Sequence, residues 1–137
     1  MSSNTKPIGV AYEDQNINGA NVVLVDEQLG YTAAAQGAVT QATSKATGVT
    51  LDKPAGRITM NNAALAGNTA VSFTLTNSLI SANDVIVLNV SGGATAEAYT
   101  TYVSSMTAGS ASLTLRNMTA GSLSEAVIIN YAIIHCV

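Results

Sequence analysis

Charge is what this chain has least of. Five basic and eight acidic residues in 137 make it 9% charged, with a net charge of −3, where a soluble domain usually carries about a quarter. The five cations, Lys6, Lys45, Lys53, Arg57 and Arg116, form no dense patch. Neutralising a phosphate backbone takes several cations together, so nucleic acid is not an expected partner. A single cysteine, Cys136, excludes an internal disulfide framework and a zinc site built on paired cysteines. Tryptophan is absent and aromatic residues total 4%. Long hydrophobic runs are missing too. The longest, AVIINYAII near the C-terminus, is interrupted by Asn130 and falls far below the roughly 20 residues that cross a bilayer. It reads as a buried strand, and no membrane partner is expected. The first residues, MSSNTKPIGVAYEDQ, show no basic start followed by an apolar stretch, so no secretory signal is expected and synthesis is placed in a cytoplasm.

What the chain does have is a core and an uncharged polar skin. Hydrophobic residues make up 47%, enough for one domain at this length. With so few charges, the surface must be Ser, Thr, Asn, Gly and Ala. A skin of that kind suits coverage by identical copies or by another protein.

From Gly37 onward the sequence reads as strand after strand. In AVSFTLT, residues 70–76, Val71, Phe73 and Leu75 alternate with Ser72, Thr74 and Thr76, the period of a half-buried strand. DVIVLNV at 84–90 is apolar on both faces, as a central or partner-facing strand would be. EAYTTYVSS (97–105), SASLTLRN (110–117) and EAVIINYAII (125–134) complete the set, and a short hairpin is expected where GVTLD (48–52) meets RITM (57–60) through Pro54, Ala55 and Gly56. Helical periodicity is weak everywhere. About eight short strands separated by turn signals predict an all-β fold: an antiparallel β-sandwich, jelly-roll-like, over residues 37–137. Residues 1–36 hold half of the acidic residues and one strand-like segment, NVVLVD. They read either as an extended arm with one strand or as a terminus that happens to contain three valines and a leucine.

The sequence also echoes itself. Phe73 to Asn77 (FTLTN) precedes a loop and a strand led by Asp84 and carrying Asn89. Leu113 to Asn117 (LTLRN) precedes a loop and a strand led by Glu125 and carrying Asn130. Two related strand pairs would produce this, and so would similar local demands for strand and turn.

Candidates for chemistry do not assemble. The one histidine, His135, adjoins Cys136 at the end of the last strand, where neighbours point to opposite faces. Ser44 and Lys45 lack the spacing that sets an amine beside a hydroxyl. Asp52, Asp84, Glu97 and Glu125 stand singly at strand ends, positions that usually face water. Tyr99 and Tyr102 are three apart, hence on opposite faces of a regular strand. No catalytic residue, metal site or cofactor is expected.

The stretch AVTQATSKATGVTLDKPAGRITMNNAALAGNTAVSFTLTNSLISANDVIVLNV, with TAGSLSEAVIINYAII, resembles structural proteins of tailed bacteriophages, notably small capsid decoration (cement) proteins, and some phage tail proteins. The resemblance covers residues 38 to the C-terminus and not the arm. It implies a non-enzymatic homo-oligomer, often a trimer, on the outer surface of the virion head, bound to the major capsid protein at capsomer junctions. A tail or neck appendage with a glycan-binding β-domain is the alternative it allows. Val22, Val23, Leu24 and Val25 are then the expected interface strand, adding to an exposed sheet edge of a neighbour or of the major capsid protein, and Lys53 and Arg57 are expected to pair with a carboxylate or to touch the shell.

Overall fold

The computed structural model describes residues 22–25 and 28–136. Among the described residues there are ten strands: β1 (Val22–Val25), β2 (Gln28–Tyr31), β3 (Gln36–Thr40), β4 (Val49–Thr50), β5 (Ala55–Thr59), β6 (Ala70–Thr76), β7 (Val85–Gly92), β8 (Tyr99–Thr107), β9 (Ser110–Asn117) and β10 (Ile128–Ile134). Eight of them form two stacked four-stranded sheets, in the orders β3-β5-β10-β7 and β4-β6-β9-β8. The all-β sandwich expected from strand periodicity is therefore what the chain forms. Its sheets are mixed: β3 runs parallel to β5 and β4 parallel to β6, while the remaining neighbours are antiparallel.

The alternation in β6 does what its sequence dictates. Phe73 and Leu75 turn inward and are buried, and Ser72, Thr74 and Thr76 face out. They meet Leu113 and Ala111 across the β6–β9 register and Ile58, Ile129, Tyr131 and Ile133 from the facing sheet in one continuous core. Burying each such side chain contributes on the order of 1.5–3 kcal/mol.

Residues 48–60 do not form the expected hairpin. β4 joins one sheet, on β6, and β5 the other, between β3 and β10, so residues 51–54 cross the end of the sandwich. Contacts from distant sequence decide this. A Cβ added at Gly56 would lie 2.7 Å from Leu51 Cδ2, and one at Gly37 would lie 2.8 Å from Leu51 Cδ1, so two glycines on neighbouring strands make the hole that Leu51 fills. The crossing carbonyls are also claimed. Lys53 O accepts from Asn77 Nδ2 at 2.8 Å and from the Tyr131 hydroxyl at 2.7 Å, and Pro54 O accepts from Ile133 N at 2.8 Å.

Among the described residues of the segment N-terminal to the sandwich lie two strands, where one was expected. β1 pairs antiparallel with β2, Leu24 opposite Leu29, as a separate ribbon. Ala33–Ala35 make one 3-10 turn, and β3 begins at Gln36. The remaining parts of the proposed arm, residues 1–21 and 26–27, lie outside the described residues.

The echo has a structural counterpart. β6 and β9 are antiparallel neighbours in one sheet, with Phe73 opposite Leu113. The strands that follow their loops, β7 and β10, are antiparallel neighbours in the other, with Asn89 opposite Asn130. Asn77 and Asn117, both fully buried, end the first strands and fold the loops back: Asn77 Oδ1 accepts from Leu79 N at 3.0 Å and Asn117 Oδ1 from Thr119 N at 2.9 Å. Each asparagine thus nucleates an Asx turn.

Candidate binding surfaces

Two carboxylates are built into opposite ends of the sandwich in the same manner. Asp84, just before β7, has a fully buried side chain that accepts from Ser81 N (2.9 Å), the Ser81 hydroxyl (2.7 Å) and Cys136 N (2.9 Å). Glu125, before β10, accepts from Thr95 N (3.1 Å), the Thr95 hydroxyl (2.9 Å) and the Tyr99 hydroxyl (2.9 Å). Both sequence positions were expected to face water, and Asp84 does not. His135 Nδ1 lies 2.8 Å from Asp84 Oδ1, at ion-pair distance but out of line for a hydrogen bond. Burial pushes the Asp84 pKa up, but the Ser81 and Cys136 donors and the His135 ring outweigh it and hold the carboxyl below its ordinary value. The Ser81 hydroxyl is committed to Asp84, so this Ser-Asp-His group fastens a loop and the chain's last turn to the start of β7. Tyr31 is tied in beside it, donating its hydroxyl to Ile133 O. Burial, and then the Asp84 charge, raise the Tyr31 pKa.

Lys45 was missed by sequence reasoning. It is buried, 3% exposed, and its ammonium donates to the carbonyls of Asn61 and of Glu125, the latter at 2.6 Å. Burial lowers its pKa, with the Glu125 charge acting the other way. Backbone and side-chain donors from Thr95, then Tyr99, lower the Glu125 pKa, while burial and the bond to Glu125 push Tyr99 up to about 12. Gln41, also buried, completes this end: it donates to Lys45 O and Thr47 O at 2.9 Å and accepts from Asn61 N at 2.9 Å. A hydroxyl-rich stretch gave no signal that its lysine would turn inward to hold loop carbonyls.

The two predicted cations part company. Lys53 donates to Ala34 O at 3.0 Å, pinning the turn before β3. Arg57 lies on the outer face of its sheet, with Nε directed at Asn130 Oδ1 at 3.4 Å. Neither pairs with a carboxylate among the described residues, where the one ion-pair contact is His135 with Asp84. Val22, Val23, Leu24 and Val25 form β1, apart from both.

Among the described residues, the outer sides of the two sheets are left as broad faces. Outside the β4-β6-β9-β8 sheet stand Thr50, Ser72, Thr74, Thr76, Ser110, Ser112, Thr100 and Thr107, in register across the strands, with Thr114 on the same side but buried beneath its neighbours and Arg116 the one charge. Some of these hydroxyls satisfy each other, Ser72 with Thr114 at 2.7 Å and Thr107 with Ser110 at 3.0 Å. Tyr102 lies on this face, 49% exposed, while Tyr99 is on the inner side, as their spacing predicted. Outside the β3-β5-β10-β7 sheet, Val85, Val87 and Ile134 are exposed beside Asn89, Asn130 and Arg57, and Arg57 is again the one charge. A cleft of about 310 Å³ opens at the β7–β8 end, lined by Ser91, Thr95, Glu97 and Tyr99 among others. Glu97 holds a left-handed φ of 65° there. Among the described residues no three His, Cys, Asp or Glu side chains converge in a metal-holding group, and no helix is long and apolar enough to cross a membrane.

Compared with protein-family models, with curated proteins and with solved structures, the chain matches none.

Proposed function

We propose that this protein is a structural component of a tailed-bacteriophage particle: a decoration protein bound to the outside of the head shell, in contact with the major capsid protein at capsomer junctions and present as a homo-oligomer. The observation that carries the reading is the pair of sheet faces with a single arginine each. Burying Thr, Ser, Ala and Val against a partner costs far less than burying Lys or Glu. Repeated copies make the second and third contacts effectively intramolecular, so weak patches suffice to hold a shell together. Asp84, Ser81, Lys45 and Glu125 have their hydrogen bonds directed at backbone groups and neighbouring side chains that fasten loops, which serves rigidity and supports a binding role over a catalytic one. The test is quantitative composition of purified particles. A copy number in proportion to the shell subunits supports the proposal; absence from the particle overturns it.

Tyr102, half-exposed among hydroxyls and near Arg116, favours one second reading, a tail or neck component that touches a host glycan. A small copy number per particle, with loss of cell adsorption in Tyr102→Ala, would select it.

A further inference from the structure

Of the sheet edges among the described residues, formed by β3, β7, β4, β8 and the β1-β2 ribbon, two combine an uncharged strand with large exposed aliphatic side chains. β7, VIVLNVSG, closes one side of its sheet with no charge and no proline. Apart from its ladder with β10, its backbone makes no backbone hydrogen bond among the described residues, so one row of N–H and C=O groups faces outward. Val85 and Val87 beside that row are each 51% exposed, and Ile134, opposite Val85 in register, is 55% exposed. Native edges are usually blunted by charge, proline, bulges or shortness. β8 carries a bulge between Val103 and Ser105, and β4 is two residues long. The irregularity in β7 falls at its last residues and leaves Val85 to Val90 in regular register.

The second such edge is the ribbon. Among the described residues β1 and β2 pair only with each other, β1 is the uncharged VVLV, and Leu29 on β2 is 72% exposed. Two strands alone are marginal in water and need a third with an apolar face. What stabilises a bare edge is another extended strand, and each of these edges offers the other that strand. Neither β1 nor β7 contains a charged residue to be buried in such a pairing.

We infer that β1 of one copy adds to the β7 edge of a second copy. Donor and acceptor are different surfaces, so the contact is heterologous and closes into a ring when the rotation permits. The inference concerns self-association and stands whichever particle surface the assembly covers.

The test uses the full chain in a Cys136→Ser background. One preparation carries Val23→Cys, another Asn89→Cys, and a third carries both; they are oxidised singly and as a mixture of the first two. A disulfide between the two different chains in the mixture is expected, together with an oligomer in analytical ultracentrifugation that falls to monomer in Val87→Lys while the β circular-dichroism spectrum is kept. Three outcomes overturn the inference. These are a disulfide within one monomeric chain of the double variant, Asn89→Cys linking to itself in preference to the mixture product, or an unsubstituted chain that stays monomeric at high concentration.

Discussion

Asp84 concentrates the residue-scale physics of this protein. A buried carboxylate with three donors and a neighbouring imidazole joins the 81–84 loop, the start of β7 and the chain's end. Asp84→Ala leaves the half-buried N–H groups of Ser81 and Cys136 unpaired, and a loss of roughly 2–4 kcal/mol is expected in chemical denaturation. The pH dependence has a definite sign. The folded pKa of Asp84 is lowered, so its contribution is present above the ordinary carboxylate value of about 3.9 and is lost as pH falls through the lower folded value. Melting temperature should fall across that acid window, and less so in Asp84→Ala. Asn117 makes a parallel case, donating to Leu65 O and Gly121 O at 2.9 Å while fully buried. Asn117→Ala should cost about 2–3 kcal/mol, against a change within about 0.5 kcal/mol for Ser122→Ala on the exposed loop. Asn117 and Asp84 were both visible as letters at strand ends. Their burial was not, because a polar residue turns inward only when distant backbone groups arrive to bond it.

At the scale of elements, the crossing between β4 and β5 depends on space. Gly56→Ala would set a methyl 2.7 Å from Leu51 Cδ2 and 3.0 Å from both Gly37 O and Tyr131 Cε1. Because strand backbone yields little, the expected loss is about 1–3 kcal/mol by thermal denaturation. Gly30→Ala, with open space at its Cβ, should leave stability nearly unchanged. β6 and β9 were legible residue for residue, since a face buried on one side imposes period two. β2 and β3 were not seen. QLGY and QGAVT are short and each contains a glycine, and local pattern does not reveal that β3 lies parallel beside β5.

For the whole molecule, the two outer faces matter most. Thr74 and Ser112 are cross-strand neighbours at the middle of the hydroxyl face. Thr74→Lys with Ser112→Lys adds two unpaired cations to a surface that otherwise shows Arg116 alone. If this face grips the shell, occupancy on particles should drop about tenfold or more, the effect of at least ~1.4 kcal/mol. The fold should be unaffected, since both side chains point away from the core. The same pair of lysines with undiminished occupancy would move the contact to the β3-β5-β10-β7 face. Face composition was legible in the sequence as low charge and abundant Ser and Thr; which hydroxyls share a face followed from strand register.

By itself the sequence determined the class of the fold, the inward residues of its longer strands and the uncharged skin, because burial on one side of a pleated strand writes itself into alternating letters. Only the tertiary structure decided that β4 and β5 belong to different sheets, that Lys45 and Asp84 are interior, and that β7 is an open edge. Those outcomes depend on which distant carbonyls, amides and glycines meet, and chain proximity carries no record of such meetings.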